Sequence, residues 1–246
     1  MPDPATSSLP HRPTHRLRSR IAQLAALGVA GTLLWLSQPA AIAAAAALPP
    51  PAMDTQKEAG PLQTAVLAGG CFWGVQGVFE HVRGVRQVIA GYTGGDASTA
   101  QYETVSEGDT GHAESVRISF DPARVSFGQL LQVAFAVAHD PTQLNRQGPD
   151  TGTQYRSAIF YTNDDQQRVA SAYIAQLNGA HAFPDRIVTE VTPLKRFFPA
   201  EHYHQDYLKL HPDQPYIAYN DLPKIRNLKQ LFPDFYTETP VSFDSH

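Results

Sequence analysis

Ala65-Val66-Leu67-Ala68-Gly69-Gly70-Cys71-Phe72-Trp73-Gly74-Val75-Gln76-Gly77-Val78-Phe79-Glu80-His81-Val82 reads as a strand, a corner and a helix in one short run. Ala65 to Ala68 is apolar and suits a short buried strand. Val75, Val78, Phe79 and Val82 recur at helical spacing, and Gly84 closes the helix. Glycines 69, 70 and 74 flank Cys71, and glycine lets a chain bend sharply or approach a ligand closely. Cys71 is the only cysteine, so it forms no disulfide within the chain. It is an inert core thiol, a nucleophile, or a handle for another molecule. At a strand-to-helix corner, unpaired N–H groups and the positive end of the helix dipole favour the thiolate, so a reactive thiol is expected.

Working outward, Val85 to Tyr92 is strand-like and ends at Thr93-Gly94-Gly95. Ser115 to Asp121 alternates, with Val116, Ile118 and Phe120 on one face and Arg117 and Ser119 on the other, as a half-buried strand does. Ser126-Phe127-Gly128-Gln129 is a capping box that opens a helix through His139. A loop over Asp140 to Gln154 precedes a strand at Ser157 to Tyr161, a helix at Asp164 to Asn178 and a strand at Ile187 to Val191. A last helix is expected from Pro199 or Ala200, because proline suits the first helical position. The order β-α-β-β-α-β-α-β-α predicts an α/β (α+β) fold. Its expected form is a two-layer sandwich of helices on a mainly antiparallel mixed sheet with a split βαβ, ferredoxin-like core. The catalytic domain is expected over 64–214. A tail over 215–246, rich in Pro, Asn, Asp and Tyr, is expected to pack on it as irregular structure.

The first residues read differently. Arg12, Arg16, Arg18 and Arg20 precede an uncharged, mainly apolar stretch from Ile21 to Leu36, and Ala41-Ile42-Ala43 opens an alanine run. That is the pattern of a secretory signal peptide over 1–47, cut between about 43 and 47. The expected location is therefore periplasmic or secreted. The alternative is an uncleaved N-terminal membrane anchor, although the apolar stretch is shorter than the ~20 residues that span a bilayer comfortably. Residues 48–63, with Pro49-Pro50-Pro51 and Pro61, are expected to be a flexible linker. The net charge of −4 and the lack of a basic block beyond the leader argue against nucleic-acid binding.

Polar loops beside strand ends are where scaffolds hold reactive groups. Glu114 shares the parity of Val116, Ile118 and Phe120, so its side chain is expected to point inward. A half-buried glutamate holds its proton near neutral pH, as a general acid must; the alternative is a surface ion pair. Tyr102 and Tyr155 offer hydroxyl donors, although a tyrosine at a strand end is more often packing. A single cysteine rules out a CxxC-type zinc site. His202 and His204, two apart on a helix, share no face. No metal is expected there; both are read as solvated, or His204 lines or braces the site with Gln205, Asp206 and Tyr207.

Several motifs follow one another in a telling order: Gly70-Cys71-Phe72-Trp73-Gly74, Gly91-Tyr92-Thr93-Gly94-Gly95, Gly111-His112-Ala113-Glu114 and His139-Asp140-Pro141. Gly152-Thr153-Gln154-Tyr155-Arg156-Ser157 and His204-Gln205-Asp206-Tyr207-Leu208 complete the series. In order and spacing the chain resembles the A-type peptide methionine sulfoxide reductases over roughly residues 64 to 212. The resemblance implies attack of Cys71 on the sulfur of methionine S-sulfoxide, with Glu114 as proton donor and Tyr102 and Tyr155 as hydroxyls on the oxygen. It implies that Phe72 and Trp73 wall a pocket for the terminal methyl, that Asp150 positions water or the acid, and that His204 belongs to the substrate site. The products would be methionine and a Cys71 sulfenic acid.

The chain departs from the family in one respect. Many A-type enzymes carry resolving cysteines near the C-terminus, and this chain has none. No bound cofactor is expected. The sulfenic acid should instead meet an external thiol reductant: thioredoxin, a glutaredoxin-like protein or a small thiol. The expected partners are oxidised peptides or proteins and that donor, acting on a monomer. Two other readings are a cysteine hydrolase with His112 or His139 as base and Glu114 as orienter, and a secreted peptide-binding domain with Phe72 and Trp73 as its pocket.

Overall fold

The computed structural model describes residues 48–243. The export signal expected over 1–47 lies outside the described residues. In chain order the strands are β1 (Gln63–Gly69), β2 (Val85–Thr93), β3 (Ala113–Phe120), β4 (Arg146–Gln147), β5 (Asp150–Thr151), β6 (Ser157–Tyr161), β7 (Glu190–Pro193) and β8 (Phe197–Pro199). The α-helices are α1 (Phe72–Glu80), α2 (Tyr102–Ser106), α3 (Phe127–Val133), α4 (Asp164–Gly179), α5 (Tyr207–Leu210) and α6 (Leu222–Leu231).

β3 pairs antiparallel with both β1 and β2. β1 and β2 therefore run parallel with β3 between them, and α1 joins them: this is the expected split βαβ unit. The full sheet has the order β7-β6-β1-β3-β2-β8, and only β6 and β7 pair in parallel. One face of the sheet, with Leu67, Val88, Ala90, Val116, Ile118 and Ile159, packs on α1, α3 and α4 in the main core. Val75, Val78 and Phe79 bury the inner face of α1. Removing a side chain of that size from water contributes about 1.5–3 kcal/mol. The opposite sheet face, with Val66, Ala68, Ala113, Ala158 and Phe160, is covered by Leu194 and Phe197.

Four expectations need correction. No helix starts at Pro199 or Ala200. Phe197–Pro199 instead pairs with β2 as an edge strand, where the missing proline N–H costs nothing. A Cβ at Gly91 would lie 2.3 Å from the Phe198 carbonyl oxygen, so glycine admits this strand. The strand expected at Ile187 to Val191 lies at Glu190–Pro193; Val188 N–H donates instead to the Pro141 carbonyl, 2.9 Å away.

The tail is not irregular. A π-turn over Ile217–Asp221 runs into α6, with Pro223 in its first turn. Leu228 is buried, and Ile225 and Leu231 pack on the core beside it.

The segment expected as a flexible linker is docked over its first residues. Leu48 joins the core. Its carbonyl accepts from Gln132 Nε2 (2.7 Å), and the Pro49 carbonyl accepts from Tyr173 Oη (2.8 Å). The capping box on α3 forms as expected between Ser126 and Gln129. Asp54 completes it: its carboxylate accepts from Gly128 N–H (2.7 Å) and Ser126 Oγ (2.5 Å). The free N–H groups of a helix N-terminus are what draw the carboxylate in. Asp54→Ala should lower unfolding stability by ~1 kcal/mol, read from the denaturant midpoint at constant slope.

Glu80 ends α1 as a buried carboxyl. Burial first, then the charge of Asp206 and a hydrogen bond shared with it, push its pKa up to about 9. Asp206 in turn accepts from Ser242 Oγ (3.0 Å) and Phe243 N–H (2.9 Å). The native state thus keeps a proton that the unfolded chain releases near the ordinary glutamate value of 4.5. The stability tied to this group is full below that value and is lost as pH rises through about 9. Glu80→Gln should therefore raise the melting temperature more at pH 9 than at pH 5, as thermal unfolding at the two pH values will show.

Candidate active site

β1 ends at Gly69, and Gly70 turns the chain with φ +89°. A Cβ at Gly70 would collide with Gln147 at 2.6 Å, so the corner needs glycine twice over. Cys71 is the N-cap residue of α1. The first free N–H of that helix, on Phe72, donates to Glu114 Oε2 at 2.9 Å. Glu114 stands on β3 opposite Tyr92. Its side chain points inward, as parity requires, and is 2% exposed. Burial, joined by the charge of Asp150, outweighs the Phe72 hydrogen bond and pushes its pKa up to about 8. At neutral pH the carboxyl holds its proton.

The thiol differs from expectation. Trp73 N–H and Lys224 do favour the thiolate. Burial, with the charges of Glu114 and Asp221, overrides them and pushes the Cys71 thiol well above its ordinary range. The resting sulfur is a thiol, because the corner that offers N–H groups also excludes water.

Tyr102 opens α2, and its N–H donates to Glu201 Oε1 (3.0 Å). Tyr155 ends a 3-10 turn at Thr153–Tyr155. Burial and the nearby charges of Glu114 and Cys71 push both phenols up, so both remain O–H donors. Asp150 sits in β5 and accepts from Tyr216 Oη at 2.5 Å.

Phe72 is buried against Tyr92 and His204, with ring centres 5.8 and 5.1 Å apart. Trp73 is partly exposed. It stacks on Tyr207 at 3.9 Å and meets the edge of Tyr216 at 6.1 Å. Its Nε1–H donates to His204 Nδ1 (3.1 Å). His204 is buried rather than solvated, while His202 is exposed. Burial lowers the His204 pKa, so the ring is neutral. Because Nδ1 accepts, Nε2 carries the proton, 3.9 Å from Glu201 Oε2. All eight predicted residues are thus linked into one cluster around Cys71.

Sequence reasoning gave no role in this site to four further members. Glu201 also accepts from Tyr92 Oη (2.8 Å), tying β2 to α2. Tyr216, Asp221 and Lys224 come from the tail. A Cβ at Gly74 would lie 2.0 Å from Asp221 Oδ1, so the tail rests directly on the first turn of α1. Pro223 followed by Ile225, Leu228 and Leu231 at helical spacing signals α6. No local pattern marks Asp221. An open cleft of about 630 Å³ between Gly94, Arg156, Thr192 and Phe198 shares no lining residue with the site.

The profile of the family described as "Peptide methionine sulfoxide reductase" matches residues 63–235. The chain belongs to that family. It is 61% identical over 186 residues to "Peptide methionine sulfoxide reductase MsrA 2" of Mesorhizobium japonicum, covering 76% of this chain and 95% of that one. It is 54% identical over 172 residues to the protein of the same description from Synechocystis, covering 70% and 80%. Among solved structures it is similar to "Methionine sulfoxide reductase A of Corynebacterium diphtheriae". That likeness has 36% identity and a TM-score of 0.54, over 64% of this chain and 79% of the other. Like other A-type peptide methionine sulfoxide reductases, it is an enzyme that reduces methionine sulfoxide and so repairs oxidised methionine.

A reductase needs no histidine base beside its thiol, and the two candidates for one are committed elsewhere. His112 accepts from Gly95 N–H at Nδ1 (3.2 Å) and bonds the Asp96 carbonyl through Nε2 (2.9 Å). His139 contacts the Ala134 carbonyl (3.1 Å) and Ser157 Oγ (2.7 Å), and its burial pushes its pKa down to about 4. This geometry disfavours the hydrolase reading of the reductase site. Among the described residues no cluster could hold a metal ion, and no helix is long and apolar enough to cross a membrane.

Proposed function

We propose that Glu114 supplies the proton that makes the sulfoxide oxygen able to leave, while Cys71 attacks the sulfur. The observation that carries this reading is the Phe72 N–H to Glu114 bond, which clamps a buried, protonated carboxyl beside the residue that bears the thiol. As the Cys71 sulfur closes on the methionine sulfur, Glu114 protonates the oxygen. The oxygen passes to Cys71, methionine leaves, and the thiol proton restores Glu114. Protons and electrons balance: the sulfoxide is reduced and the thiol is oxidised to a sulfenic acid. Tyr102 and Tyr155 donate hydroxyl hydrogen bonds to the oxygen. Phe72 and Trp73, braced by His204, enclose the methyl, and Asp150 holds its place through Tyr216.

With one cysteine in the chain, the sulfenic acid is reduced from outside by a thiol or a thioredoxin-like dithiol. The basic, apolar and small-residue order of residues 12–47 supports export, so that donor would work outside the cytoplasm. Intact mass spectrometry with excess methionine S-sulfoxide tests the cycle. Without reductant, Cys71 should gain one oxygen and release one equivalent of methionine. With dithiothreitol, methionine should form continuously. No mass gain and no methionine would overturn the reading.

A further inference from the structure

The tail brings a second carboxyl to the thiol. Asp221 is 0% exposed. Its Oδ1 bonds Lys224 Nζ at 3.0 Å, and its Oδ2 has no hydrogen-bond partner among the described residues. Gly74, over which it lies, belongs to the first turn of α1, and Cys71 is the cap residue of that turn. Asp221 therefore rests on the first turn of α1, which Cys71 caps, and its charge acts on the thiol. Glu114 reaches that turn from β3 instead. A buried carboxylate oxygen left without a donor is costly, and functional sites are where such groups persist.

The chemistry leaves a second task for such a group. Sulfoxide reduction uses the proton of Glu114. Reduction of the sulfenic acid must then expel its oxygen, and hydroxide leaves poorly without a proton of its own. We infer that Asp221, steered by Lys224, is the proton donor for regeneration of Cys71. An external thiolate attacks the Cys71 sulfur, forming an S–S bond as the S–O bond breaks. The departing hydroxide takes the Asp221 proton and leaves as water. A second thiol then attacks the outer sulfur, releasing Cys71 and returning its proton to Asp221. The two external thiols are oxidised to a disulfide. Burial raises the Asp221 pKa against the pull of Lys224, which suits a group that must hold a proton and surrender it.

The inference rests on the external-thiol cycle proposed above, and one experiment separates the two. Wild type and Asp221→Asn are first oxidised with one equivalent of methionine S-sulfoxide, and methionine release is timed. Dithiothreitol is then added, and loss of the added oxygen is followed by intact mass. Asp221→Asn should slow regeneration about 10²-fold more than it slows methionine release. Equal regeneration in variant and wild type, or equal slowing of both steps, would overturn the inference. A wild-type sulfenic acid that persists in dithiothreitol would overturn the external-thiol cycle itself. Should Asp221→Asn fail to fold, Lys224→Met serves in its place. Without the cation the carboxyl holds its proton to higher pH, so the ratio of variant to wild-type regeneration should rise with pH. A flat ratio would overturn the inference.

Discussion

Glu114→Gln is expected to slow the release of methionine about 10²- to 10⁴-fold, the usual scale for loss of a general acid. The amide oxygen still accepts from Phe72 N–H, so the corner that carries Cys71 keeps its geometry. What disappears is the transferable proton. The wild type should show the same dependence through pH. Glu114 is protonated below about 8, so the single-turnover rate should lose its acid catalysis as pH rises through that value. The variant should lack that limb. Stopped single turnovers with methionine S-sulfoxide across pH 6 to 10 separate the outcomes. A variant within a few fold of wild type at neutral pH would assign the proton to another group.

The second large effect concerns recognition. Trp73 is held on three sides: stacked on Tyr207, met edge-on by Tyr216 and hydrogen-bonded to His204. It is rigid before any substrate arrives, so little ordering entropy opposes the docking of a methyl group against it. Trp73→Ala should raise KM for a methionine-sulfoxide peptide about 10- to 100-fold, the worth of one apolar contact in a closed pocket. The single-turnover rate at saturating substrate should change far less, because Cys71 and Glu114 are bonded through Phe72 rather than through Trp73. An unchanged KM would move the methyl pocket elsewhere.

Much of this site was legible in the sequence, for definite reasons. Strand parity is strict, so an apolar run at Val116, Ile118 and Phe120 also aims Glu114 inward. The capping box at Ser126 and Gln129 is local chemistry and formed as read. The failures share a different character. Phe197–Pro199 is a strand only because β2 presents an unpaired edge with Gly91 at the crossing. Of the two readings of His204, solvated or lining the site, the second holds, because Phe72, Trp73 and Tyr102 converge on it and bury it. The thiol is protonated at rest first because distant segments bury it, and then because carboxyls on β3 and the tail share its enclosure. None of these partners lies within a few residues of the group it changes, and local patterns carry no trace of them.

Leu48 is a residue that the folded domain cannot lose. Its side chain belongs to the core, its carbonyl holds Gln132, and the next carbonyl holds Tyr173. A peptidase that cut between Leu48 and Pro49 would leave a hole in the core and an orphaned amide on Gln132. A cut a few residues upstream would leave every one of these contacts standing. The folded domain therefore needs Leu48 in place.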